Sequence, residues 1–131
     1  MKLKNVPPQI IFLNCGTYPF DILFFINKED EEVNKKLLKY FSQEDIDESL
    51  LISNIPRGRT AKINKRIVVR IWDYHVDCCD CYSILTHELF HAIHVLFDII
   101  GLKYGKDSEE AFAYQLQYLT KQLLLKIKIS T

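Results

Sequence analysis

The chain is expected to fold as one α+β domain, and three observations carry that expectation. Short Ile- and Phe-rich runs bounded by turn residues fill the first half. A long, strongly apolar segment of helical period spans residues 84–100, and a second helical pattern follows over residues 108–125. With 131 residues, no internal repeat, no low-complexity tract and no Gly/Ser linker, residues 1–131 are read as a single domain with one continuous core.

The elements follow in order. Residues 10–13 and 22–26 are strands, separated by the turn-prone Cys15-Gly16-Thr17-Tyr18-Pro19. Asp30 is expected to cap a helix of about ten residues, with Val33, Leu37, Leu38 and Phe41 as its apolar stripe and Lys35, Lys36 and Lys39 facing water. Residues 50–55 are a further strand candidate. Residues 60–63 and 66–72 form a hairpin around Asn64-Lys65, a turn that lacks the usual Gly. Asp77 or Asp80 caps the long helix and Gly101 ends it. The last helix presents Phe112, Ala113, Leu116, Leu119, Leu123 and Leu124 inward. The sheet is expected to be mixed or antiparallel.

Composition narrows the classes of function. There are 17 basic and 17 acidic residues, a net charge of zero and no basic block, so no electrostatic nucleic-acid partner is expected. Lys2 and Lys4 precede an apolar run ending at Cys15. However, Pro7-Pro8 interrupt it, its apolar core is short, and Asn14 is not the small residue of a cleavage site, so a signal segment is not expected. No run approaches the roughly 20 apolar residues of a membrane span. A cytoplasmic protein with reduced cysteines follows. Cys78, Cys79 and Cys81, beside His75, Asp77 and Asp80, admit a metal site of their own or a thiol that reaches a metal held by the helix that follows. The reading adopted is that of ordinary buried or helix-start cysteines.

The chemistry lies in His87-Glu88-Leu89-Phe90-His91. On a helix each residue advances about 100°, so the two His project from one face about 6 Å apart, where both imidazoles can converge on one zinc ion. Glu88 is poorly placed as a third ligand and well placed as a base. Measured from His87, His91 lies at about 40°, His94 at about −20° and Asp98 at about 20°, a narrow polar stripe on an otherwise apolar rod. A solvated face would more often carry Lys, Glu and Gln than three His, and polar groups on a core helix need partners.

The order of HExxH, a short connection, and then Glu110 in Ser108-Glu109-Glu110-Ala111-Phe112-Ala113-Tyr114 resembles the gluzincin zinc metallopeptidases, in particular their minimal phage and bacterial members. The likeness spans roughly residues 60–125 and is specific at HELFH and EEAFAY. It implies a small zincin-like domain in which His87, His91 and Glu110 bind zinc and Glu88 is the general base. In a simple antiparallel hairpin Glu110 falls near Phe97. The six-residue loop must therefore run back about 13 Å, which a chain reaching roughly 20 Å can do. Glu109 is the adjacent alternative, and an acidic residue in a first helical turn is also favoured by the helix dipole alone.

His94 is a rival ligand. The HExxHxxG pattern breaks its helix at a Gly, whereas here position 94 is His and no break comes before Gly101. His94 is accordingly read as cleft wall, hydrogen-bonded to Asp98. Tyr114, one turn beyond Glu110, is a candidate donor to a developing oxyanion.

The expected function is zinc-dependent hydrolysis of a peptide or protein substrate laid along the edge of the 66–72 strand. The alternative is a noncatalytic zinc-binding interaction or regulatory protein. The alternating Lys126-Ile127-Lys128-Ile129 suggests a tail that could add to that same edge and hold the site latent. Substrate identity and oligomeric state have no signature in the sequence.

Overall fold

The computed structural model describes residues 6–52, 57–76 and 78–129. A four-stranded mixed sheet is formed by β1 (Gln9–Cys15), β2 (Tyr18–Ile26), β3 (Gly58–Ile63) and β4 (Arg66–Ile71), in the order β1-β2-β4-β3. β1 and β2 form an antiparallel hairpin, β2 and β4 run parallel, and β3 pairs antiparallel with β4. β4 is therefore an inner strand and β3 an edge.

Strands β2 and β4 are apolar on both faces because both faces are covered. On one, Ile22, Phe24 and Ile26 of β2 and Ile67, Val69 and Ile71 of β4 pack under α2 (Cys79–Ile99) and α3 (Glu109–Lys126). On the other, Leu23, Phe25, Ala61, Ile63 and Val68 meet Val33 and Leu37 of α1 (Asp30–Leu37), with Phe41, Ile46 and Leu50 beyond it.

Arg70 of β4 is fully buried on this second face. It is offset by an ion pair to Asp30 at 2.7 Å and by donation to the carbonyls of Leu50 (2.8 Å) and Lys28 (2.6 Å). That pairing corrects the role expected of Asp30. Glu29 occupies the N-cap position, and the Asp30 carboxylate reaches Arg70. α1 then ends at Leu37, leaving Leu38 exposed.

The strand expected over residues 50–55 is not formed in its described part. Asp47 accepts from the backbone N–H (2.9 Å) and hydroxyl (2.7 Å) of Ser49, which starts a 3-10 turn over Glu48–Leu51; residues 53–55 lie outside the described residues. The β3–β4 hairpin does turn at Asn64-Lys65, with Asn64 taking the left-handed conformation (φ 55°) that Gly would usually supply.

α2 starts five residues earlier than its apolar period suggests, with Cys78 as N-cap; Asp80 lies in the first turn and Asp77 outside the described residues. Gly101 (φ 81°) ends the helix. Its N–H bonds the Asp98 carbonyl at 3.1 Å and the Leu102 N–H bonds that of Phe97 at 2.7 Å, a Schellman arrangement.

α3 lies over β1 rather than being buried along its length. Its inner stripe is Phe112, Gln115, Leu119 and Leu123, so Ala113 and Leu124, expected inside, are exposed. Gln122 and Tyr118 bond Asn14 on β1. The segment after α3 continues along the same edge: Gln9 and Lys128 exchange two hydrogen bonds of 2.9 and 3.0 Å, and Lys126 Nζ donates to the Phe12 carbonyl at 2.7 Å. The tail thus sits beside β1, at the opposite side of the sheet from β3, which removes the expectation that it covers the substrate edge.

No described helix is long and apolar enough to cross a membrane.

Candidate functional site

α2 crosses the sheet on the side of β3 and β4. Its buried face carries Leu85, Leu89, Ala92, Ile93 and Leu96, and one charged residue, Glu88, which is 5% exposed. Two things make that burial tolerable. The Thr60 hydroxyl on β3 donates to Glu88 Oε1 at 2.9 Å, and it also lies 3.1 Å from the Glu88 carbonyl oxygen. Gly58, two residues earlier on the same face of β3, leaves room for the carboxylate. A Cβ there would stand 2.7 Å from Glu88 Cγ, 3.0 Å from Oε2 and 3.1 Å from Cδ. Gly58 is not in the left-handed region, so it is proximity to Glu88 that demands a glycine.

His87 and His91 project from the neighbouring, exposed face of α2. Their Nε2 atoms stand 3.0 Å apart and their rings meet edge to face with centroids 4.6 Å apart. At this distance one ring's N–H can donate to the other ring's nitrogen. Equally, two nitrogens each about 2.0–2.1 Å from one zinc ion stand roughly 3 Å apart, so the pair fits a zinc ion as two of its ligands.

One turn on, His94 is half-buried. Its ring lies against Phe90, Tyr104 and Phe112, at centroid distances of 4.6, 5.7 and 5.0 Å. Aromatic packing therefore fixes it instead of the pairing expected with Asp98, whose side chain is exposed.

These side chains open into a cleft of about 630 Å³ lined by His87, Glu88, His91 and His94 from α2, by Arg57 just before β3, and by Gly58, Arg59 and Thr60 at its start. The structure thus brings together both His and the Glu of the HExxH run. Glu110 and Tyr114 are elsewhere: both are exposed on α3, Tyr114 at 66%, and neither lines this cleft. Among the described residues no group of three or more His, Cys, Asp or Glu side chains is placed to hold a metal ion. The start of α3 is nevertheless close to the His stripe, because Phe112 packs on both His94 and Phe97.

Gly58 and Thr60 were not singled out from the sequence. The available signal was a Gly inside a strand pattern, which marks a close approach by another group. A second omission concerns the cysteines: Cys78 and Cys81 form a C-x-x-C pair spanning the N-cap and first turn of α2, so the reading of ordinary helix-start thiols overlooks their spacing.

No family model matches the chain, and neither a curated protein nor a solved structure matches it.

Proposed function

We propose that the chain is a small zinc-dependent peptidase of zincin-like fold and gluzincin type, acting in the cytoplasm on a peptide or protein substrate. The observation that carries this reading is the pair of Nε2 atoms 3.0 Å apart, opening into the same cleft as a buried carboxylate. His87 and His91 would hold the ion, with Glu110 as third ligand from the first turn of α3, its exposed side chain swinging round towards them. Zinc bound there would supply Lewis acidity towards a peptide carbonyl and a water acidified towards neutral pH.

Glu88 is the proton carrier of this proposal. Thr60 occupies Oε1, which leaves Oε2 to take a proton from the attacking water and return it to the leaving amine. Thr60 and Gly58 act as positioning residues, holding that carboxylate in one orientation. The substrate edge is β3, not β4. β4 is paired on both sides, whereas among the described residues β3 is paired on one side only and its first residues line the cleft, so an extended peptide could pair with its main chain. Arg59 on the cleft wall would favour acidic side chains beside the scissile bond. Tyr114 has no part assigned to it.

A noncatalytic zinc clamp is favoured by one observation, the placement of Glu110 and Tyr114 outside the cleft. Hydrolysis of an unstructured protein by the full chain separates the two readings. The peptidase reading expects turnover that stops on chelation and in Glu88→Gln, which still binds zinc. Zinc binding with no hydrolysis of any unstructured protein would leave the clamp.

A further inference from the structure

About two turns N-terminal to the HExxH run, three cysteines differ sharply in their surroundings. Cys81 is fully buried, Cys78 partly so, and Cys79 faces solvent. Cys78 is the N-cap of a 21-residue helix, its sulfur accepting the Cys81 backbone N–H at 3.3 Å, while the Cys81 thiol donates to the Asp73 carbonyl at 3.7 Å. Around Cys81 a set of donors converges on sulfur: Arg57 Nη2 at 3.1 Å and the His75 backbone N–H at 3.3 Å. Arg57 is held in turn by Asp73, through its carbonyl and through a carboxylate 3.7 Å away. An ordinary buried cysteine packs among apolar groups and needs no such donors.

We propose that Cys78 and Cys81 are a redox-active dithiol that exchanges with small-molecule disulfides, Cys78 as nucleophile and Cys81 as resolving thiol. In the first step the Cys78 thiolate attacks one sulfur of a disulfide RSSR. That S–S bond breaks, RS⁻ leaves and Cys78 carries a mixed disulfide. In the second, Cys81 gives up its proton and attacks the Cys78 sulfur, expelling the second RS⁻. Two protein thiols become one disulfide, the two electrons pass to RSSR, and the two protons end on two RSH molecules.

Each placement suits its step. The Cys78 thiolate is favoured by hydrogen bonds from the Cys81 thiol and backbone N–H, by nearby Arg57, and by the N-terminal end of the helix dipole. Burial, together with a hydrogen bond to the Cys78 thiolate, keeps Cys81 protonated until Cys78 has reacted. Arg57 then lies in contact with the sulfur on which charge develops. Cys79 is exposed and has none of these contacts, so it serves as the internal control.

The experiment uses the full chain in chelator-containing buffer. First, limiting iodoacetamide at neutral pH followed by peptide mapping should label Cys78 several-fold faster than Cys79, with Cys81 slowest. Second, equilibration with reduced and oxidised glutathione should give an intrachain Cys78–Cys81 disulfide, and Cys81→Ser should instead accumulate glutathione on Cys78. Faster labelling of Cys79 in the unmodified chain, a measurement that needs no variant, would overturn the assignment. So would oxidised protein in which Cys78 pairs with Cys79, or glutathione accumulating equally on all three thiols.

Discussion

Replacing Gly58 with Ala isolates the contact that aims the proposed base. The added Cβ would meet Glu88 Cγ at 2.7 Å, about 0.8 Å inside an ordinary carbon–carbon contact, so the Glu88 side chain must rotate or β3 must withdraw. Rotation gives up the 2.9 Å bond from Thr60 to a buried carboxylate. Overpacking costs about 1–3 kcal/mol and a lost hydrogen bond to a charged group about 1.5–3 kcal/mol; the two overlap, so roughly 2–4 kcal/mol is expected. With Glu88→Ala already present the obstacle is gone. Gly58→Ala should then be neutral, or stabilise by up to ~1 kcal/mol by restricting the unfolded chain. Urea unfolding of the four proteins closes a double-mutant cycle, and the predicted outcome is a reversal or loss of the Gly58→Ala penalty. An equal cost in both backgrounds would show that Gly58 is needed for some reason other than Glu88. The same displacement should lower hydrolysis by about 10²-fold, the typical effect of moving a reacting group by 1 Å.

Three further outcomes are expected. Glu110→Ala should weaken zinc binding about 10²-fold or more while His94→Ala changes it little, as read by competition with a chelating dye; the opposite order would transfer the third ligand to His94. Stability should fall with alkali, because burial, aided by Asp21, pushes the Cys15 thiol up to about 11, and burial with neighbouring Tyr82 pushes Tyr74 to about 12. Both folded values lie above the unfolded ones, so the stabilisation is complete below about pH 8.5 and is lost as pH rises towards 11, by roughly 3 kcal/mol for Cys15. Urea midpoints that stay flat from pH 8 to 10.5, or an unchanged slope in Cys15→Ala, would contradict this. A chain ending at Leu125 should be less stable by about 1–2 kcal/mol, having lost the contacts of Lys126 and Lys128 to β1, and should hydrolyse protein no faster; faster hydrolysis would restore a covering role for the tail.

Local chemistry explains which features were legible in the sequence. The β3–β4 hairpin and the two first strands were readable because apolar runs stand on either side of short turns, and Gly101 marked the end of α2 since a left-handed C′ position favours glycine. Asp30 misled because an acidic residue at a helix start reads equally as a cap or as an ion-pair partner. Only the fold brings Arg70 to it, from 40 residues along the chain. β4, expected to offer an open edge, is an inner strand for a related reason: strand order depends on β2 pairing parallel with β4, a long-range contact with no local signature. Within the site, HExxH located both His and Glu88, yet the sequence does not disclose that Glu88 is buried against Gly58 and Thr60. The last helix and the Phe112, Leu119 and Leu123 part of its inner face were legible, whereas Ala113 and Leu124 fit a helical stripe as well as Gln115 does until β1 selects one side.

If His87 and His91 form one metal site, calorimetric titration of zinc into the metal-free protein should give one zinc per chain. Glu88→Gln should match the unmodified protein, with stoichiometric binding abolished in His87→Ala and in His91→Ala. A chain that takes up no zinc, or one whose binding survives both His substitutions, would contradict such a site.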